Sequence, residues 1–371
     1  MSTSGAVGQV SRALGATQLG RWGAKLPAPL RTVQSVRASG LLLATVALLI
    51  LLGTKSPTYI TLSNLRVVGL QITEVGIVSV GMTMLMISGN VDLSVGSATG
   101  LVATATALMS RSMSPVLAIL LGLLIGLSCG LFNGILVWRI RISPIIITIG
   151  SLSLMYGIAL LLNEGADVPN VPVSFTNFGN SSFLSFNISV VFFVVLFLVV
   201  WIFLATTIPG RQLYAIGGNK EAAARVGIPI RRFVIATFAF TGLLVGLGGV
   251  LLASRFGTAS PQFGIGLEVD VITAVILGGV AFTGGEGSML GVVLAVIFLG
   301  ILESGIVALG IDPYYADVIK GGALIVAVAL DQLVGEQRER FRRALSIREL
   351  EEEESERRRA TSAQAVQRSD G

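Results

Sequence analysis

Histidine is absent from this chain of 371 residues, and cysteine occurs once, at Cys129 inside an apolar run. No disulfide framework, Cys/His zinc site, Cys–His dyad or Ser–His–Asp triad can be assembled from that composition. Charge is scarce as well. Asp, Glu, Lys and Arg make up 13% of the residues, against about 25% in ordinary soluble domains, which excludes a single soluble globule of this length. A phosphate-cradling G-x-x-x-x-G-K-[ST] loop is also missing. The nearest strings, Gly53-Thr54-Lys55-Ser56 and Gly218-Asn219-Lys220-Glu221, both fail the pattern. No catalytic residue, metal ligand or cofactor is therefore expected, and no nucleic-acid partner. Any transport would be passive, ion-driven or powered by a separate ATPase.

What is present is apolar: 53% hydrophobic residues, 45 glycines and a mean hydropathy of +0.83. The fold class expected is an all-α polytopic membrane protein, since a helix needs roughly 20 apolar residues to cross the hydrocarbon. About ten such stretches are legible, near 38–54, 67–88, 91–110, 115–138, 143–163, 187–208, 233–254, 267–283, 288–310 and 315–334. They divide the chain into a cytoplasmic arm (1–37), a transmembrane domain (38–334) and a charged cytoplasmic tail (335–371). With both termini inside, the cytoplasmic segments hold five basic residues in the arm and Arg139 and Arg141 in a loop. Five more lie in 209–232 and nine in the tail, so that 21 of the 26 Lys and Arg are internal, as the positive-inside rule demands. The arm, rich in Ser, Gly and Ala, reads as disordered. The tail reads as a solvated helix or a disordered segment, and its basic block (Arg338, Arg340, Arg342, Arg343) suits anionic membrane lipid.

The longest internal loop, 209–232, has a clear grammar. Pro209-Gly210 is expected to stop the sixth span and Gly217-Gly218 to make a turn. Asn219 then caps a helix of about two turns, with Glu221 in its first turn and Gly227 and Pro229 ending it. So short a helix is marginal alone and must be held by something. Two further inner-face turns share a glycine-rich construction: Gly89-Asn90-Val91-Asp92, where Asp92 can cap the third span, and Gly284-Gly285-Glu286-Gly287. Gly122, Gly126, Gly130 and Gly134 recur every fourth residue as a small-residue packing face. Among ionisable and polar residues inside the spans, Glu74, Asn133 and Glu303 are the candidates for polar contacts on a pathway. Asp317 and Lys320, three apart on one helix, are placed to satisfy each other.

Residues Tyr214-Ala-Ile-Gly-Gly-Asn-Lys-Glu-Ala-Ala-Ala-Arg-Val-Gly-Ile228 resemble the E-A-A…G coupling loop of bacterial ABC-importer permeases, in the form found in ribose-type sugar permeases. Four more collinear stretches resemble the same family. Val80 to Ser97 ends G-N-V-D-L-S-V-G-S where the family has G-G-I-D-L-S-V-G-S, differing at Asn90 and Val91. The others are Gly126 to Val137 with Ser143 to Gly150, Asp270 to Gly291, and Pro313 to Gly321. The resemblance covers about 60–331. It implies the permease subunit of a binding-protein-dependent monosaccharide importer, multi-pass in the bacterial inner membrane. Two copies would sit on two ATPase subunits, seated through Gly218, Asn219, Glu221, Ala222, Ala223 and Gly227, with an extracytoplasmic sugar-binding protein delivering the cargo. A permease for nucleosides or another small polar solute, and an autonomous ion-coupled transporter, are the alternatives.

Overall fold

The computed structural model describes residues 28–56, 58–183, 186–329 and 332. Most of the N-terminal arm, the charged tail from 335 and Asp331 lie outside the described residues. The described residues are mostly helical: α1 (Ala28–Lys55), α2 (Leu62–Gln71), α3 (Thr73–Ile87), α4 (Val95–Ser110), α5 (Pro115–Ile140), α6 (Pro144–Leu162) and α7 (Val173–Asn180). A two-residue antiparallel hairpin, β1 (Ser182–Phe183) and β2 (Phe186–Asn187), precedes α8 (Ile188–Thr206). Then come α9 (Ile208–Gly218), α10 (Lys220–Arg225), α11 (Ile230–Phe256), α12 (Leu267–Leu277), α13 (Met289–Ala308) and α14 (314–329).

Every apolar stretch carries helix, but not every one is a continuous span. Among the described residues five helices (α5, α6, α8, α11 and α13) are long and apolar enough to cross a bilayer, and α2 with α3 makes a sixth, bent by 46°. The stretch expected over 67–88 is thus interrupted at Ile72. The expected 91–110 helix starts only at Val95, because residues 88–94 form a turn. The stretch 267–283 is helical only to Leu277, followed by a second turn over 278–288. Both turns begin alike. Gly89 (φ +77) and Gly279 (φ +88) take the left-handed conformation after α3 and α12. Asn90 and Val280 then donate their amides back to Leu85 O (3.0 Å) and Val275 O (3.2 Å). These are Schellman endings, which glycine permits because it has no Cβ to clash.

The loop 209–232 also differs from expectation. Pro209 does not stop a helix but opens α9, where the missing amide of a first-turn proline costs nothing. Thr207 caps α9, its Oγ1 accepting from Gly210 N at 3.1 Å, and Gly217-Gly218 end it rather than forming a separate turn. Asn219 caps α10 as expected, its Oδ1 accepting from Ala222 N at 2.8 Å.

The core is built on α11, which packs against α3, α4, α5 and α7 and is buried along most of its length. The glycine face of α5 meets α11 directly. A Cβ on Gly126 would come within 2.5 Å of Gly246 Cα, and one on Gly130 within 2.9 Å of Gly242 Cα. The four-residue stripe is therefore a seam that brings two backbones together. In contrast, α5, α6 and α8 turn Leu120, Leu124, Ile149, Leu161, Val199 and Ile202 outward, an apolar perimeter suited to acyl chains. Gly126→Leu should destabilise the protein by about 1–3 kcal/mol or more through overpacking, read as a lower melting temperature in detergent. Gly157→Leu on α6, where a Cβ meets nothing within 4 Å, should leave that temperature unchanged.

Candidate functional site

The α9–α10 segment ends in a short, exposed helix. Only Ala223 of α10 is buried, and Ile228 N donates to Ala223 O at 3.1 Å to close the helix at Gly227 (φ +84). Glu221 and Arg225 approach to 4.0 Å with side chains 88% and 83% exposed. Val226, 77% exposed, is an apolar side chain presented beside that charge pair. A helix this short survives because α9 and the start of α11 hold it, which leaves one face free for a partner.

The root of this segment lies on the two glycine turns. The Gly217-Gly218 end of α9 rests on main chain rather than on side chains. A Cβ on Gly217 would be 3.0 Å from Ile87 C and closer still to Ile87 O and Gly285 N, and one on Gly285 would be 2.6 Å from Gly218 Cα. A Cβ on Gly284 would be 2.8 Å from Gly89 Cα. Gly285 N donates to Ile87 O at 2.8 Å, bonding the second turn to the end of α3. Tyr214 on α9 donates its hydroxyl to Gly287 O at 3.2 Å. Burial pushes the Tyr214 phenol up to about 12, so it remains a donor throughout the physiological range. Glu286 is half-buried in this turn, its carbonyl accepting from Ala281 N at 3.1 Å. Gly89, Gly284, Gly285 and Gly218 are thus brought together, whereas Glu221, Ala222 and Gly227 project away from them.

Asn90 and Asp92 point into the protein. Asn90 Nδ2 donates to Ser88 Oγ at 3.0 Å. Asp92 does not cap α4 as expected. The helix starts at Val95 behind Ser94, and Asp92 Oδ1 instead accepts from Ser94 N (2.9 Å) and Ser94 Oγ (2.6 Å) in a tight Asx turn. Asn133 of α5 completes the knot, donating Nδ2 to Asp92 Oδ2 at 3.2 Å and Ser94 Oγ at 2.7 Å. The first turn is therefore held to α5 by a fully buried polar contact.

The two carboxylates expected on a pathway are engaged in ion pairs. Glu74 lies at the α2–α3 break, 3.0 Å from Arg255 Nη2, and the same guanidinium donates to Leu70 O at 2.8 Å. Arg255 thereby satisfies both the buried charge and a carbonyl freed by the bend. Glu303 meets Lys320 Nζ at 3.2 Å, but Asp270 is closer at 3.0 Å, and the expected Asp317 partner is the most distant at 3.8 Å. The buried Lys320 side chain thus joins α12, α13 and α14. Sequence reasoning missed Arg255 and Asp270 as partners, because each lies far along the chain from the charge it neutralises. It also passed over the lateral contacts of Gly217. Among the described residues no group of His, Cys, Asp or Glu is arranged to hold a metal ion.

Removing Arg255 should strand a buried carboxylate. Arg255→Met is expected to cost about 3–5 kcal/mol, and Glu74→Gln with Arg255→Met should recover most of it. Thermal unfolding of these two solubilised variants and of Glu74→Gln alone checks this, and non-additivity is the expected sign.

Comparison with known proteins identifies the family. The family described as "Branched-chain amino acid transport system / permease component" matches residues 66–328. The L-arabinose ABC transporter permease protein AraH of Azospirillum brasilense is 34% identical over 315 residues, 85% of this chain and 92% of the relative. The ribose import permease protein RbsC of Bacillus subtilis is 34% identical over 288 residues, covering 77% and 89%. The galactose/methyl galactoside import permease protein MglC of Haemophilus influenzae is 33% identical over 309 residues, covering 77% and 92%. No solved structure matches the chain. The chain belongs to this family of multi-pass ABC-transporter permease components, alongside its sugar-permease relatives.

Proposed function

We propose that this chain is the membrane subunit of an ABC importer that carries a monosaccharide, a pentose or hexose, into the cytoplasm by alternating access. ATP is hydrolysed by a separate subunit, two copies of which engage two copies of this permease. An extracytoplasmic binding protein delivers the sugar. The observation that carries the reading is α10, a capped helix of six residues with Glu221, Arg225 and Val226 exposed and its root on two buried turns. The cargo class is supported by relatives whose names specify L-arabinose, ribose and galactose. In this reading ten apolar segments sit in the inner membrane of a bacterium, both termini in the cytoplasm, and Gly218, Asn219, Glu221, Ala222, Ala223 and Gly227 form the seat for the ATPase.

One observation favours a second reading. The 46° bend between α2 and α3 is a feature of ion-coupled carriers with discontinuous helices. The bend here is braced by Arg255 and Glu74, which leaves it less suited to an ion.

Glu221→Lys provides the test. An exposed pair at 4.0 Å contributes at most about 1 kcal/mol, so folding should be unaffected. Recovery of the ATPase in a detergent pull-down of the tagged variant is expected to fall about tenfold or more, with uptake of D-ribose, L-arabinose or D-galactose falling in parallel. Wild-type recovery would remove the docking role from this helix. Uptake that survives ATP depletion and fails when the ion gradient is collapsed would establish the ion-coupled reading.

A further inference from the structure

We infer that Gly217 is the positioning residue through which a displacement of α10 reaches both buried turns at once, an inference that rests on the ATP-driven reading above. The chain leaves no slack between helix and joint. Gly218 ends α9 and the next residue, Asn219, already caps α10. A push on α10 is therefore delivered to Gly217 within two residues.

The contact at Gly217 is main chain on main chain. A side chain between two elements can change rotamer and absorb a displacement of an ångström or so. Two backbones in van der Waals contact cannot, and close-packed interiors pass such a shift on. At Gly217 the neighbours are Ile87, the last residue of α3, and Gly285, in the turn after α12. Those two are themselves joined by the Gly285 N to Ile87 O bond of 2.8 Å. Moving the end of α9 must carry both or break that bond. Tyr214, three residues earlier on α9, ties the second turn alone through Gly287 O at 3.2 Å.

From the first turn the shift has a route onward, because Asp92 is held to Asn133 of α5 at 3.2 Å. The second turn leads directly into α13, whose Ser288 cap accepts from Gly291 N at 3.4 Å. A single joint thus feeds two helices on different sides of the core.

Hydrogen exchange of the complex co-purified with its ATPase, with and without ATP and vanadate, tests this without knowledge of the cargo. In the wild type, trapping should change exchange in the segments 85–94 and 278–288 together. Gly217→Ala should shrink both changes about fivefold or more, while the ATPase is recovered in the wild-type ratio and the response of 220–228 is kept. Gly157→Ala, a helical glycine with open space around a Cβ, should respond as the wild type. Because Gly217→Ala can also lower stability, Tyr214→Phe is measured beside it. Losing only a hydroxyl, it should weaken the response of 278–288 about twofold and leave that of 85–94 intact. A full response of either turn in Gly217→Ala, or an unchanged 278–288 response in Tyr214→Phe, would overturn the joint. If no ATPase accompanies the wild type, the ATP-driven reading fails instead.

Discussion

Inside a bilayer every backbone amide and carbonyl must find its partner within the protein, and the layout of this chain follows from that constraint. Helices meet it unaided. The two irregular turns, 88–94 and 278–288, meet it by closing on their own helices, through Asn90 to Leu85 and Val280 to Val275, within themselves, through Ser94 to Asp92 and Ala281 to Glu286, and on each other, through Gly285 to Ile87. Neither turn could stand alone in an apolar medium. Their mutual bond, with α9 laid across it, makes them one unit.

The same constraint governs charge. Glu74, Asp270 and Glu303 each lie against a basic side chain, whereas Asp92 is held by the neutral groups of Ser94 and Asn133. Arg255 answers both Glu74 and Leu70 O at the α2–α3 bend, so the break and the ion pair are two parts of one solution. Lys320 is shared by Asp270, Glu303 and Asp317, which fastens three helices to one another. Breaking such a pair is costly chiefly because the survivor stays buried. Ion pairs here are conditions for having charges at all, more than added stability.

Glycine serves two separate ends in the molecule. Along α5 it removes side chains so that α11 can approach, as in other closely packed membrane helices. At the α9 root it removes them so that the exposed α9–α10 segment can touch the turns directly. The first use gives a rigid core and the second a stiff contact at its edge.

Much of the class was legible in one dimension. Hydropathy marks a multi-pass membrane protein. The cap at Asn219 and the stop at Gly227 were readable too, since caps and glycine stops act over three or four residues. The glycine period in α5 announced close packing without naming α11 as the partner. What local pattern could not supply was the break at Ile72, the delayed start of α4, the early end of α12, or the roles of Glu74 and Glu303. A run of apolar residues reads the same whether the helix is continuous or bent. The difference lies in Arg255, 185 residues from the carbonyl it satisfies, and in Asn133, 41 residues from Asp92. Sequence determined which residues belong in the membrane, because transfer free energy is a property of each side chain. Tertiary structure decided which irregularities the membrane would tolerate, because a buried polar group is stable only beside its partner, and folding alone brings that partner near.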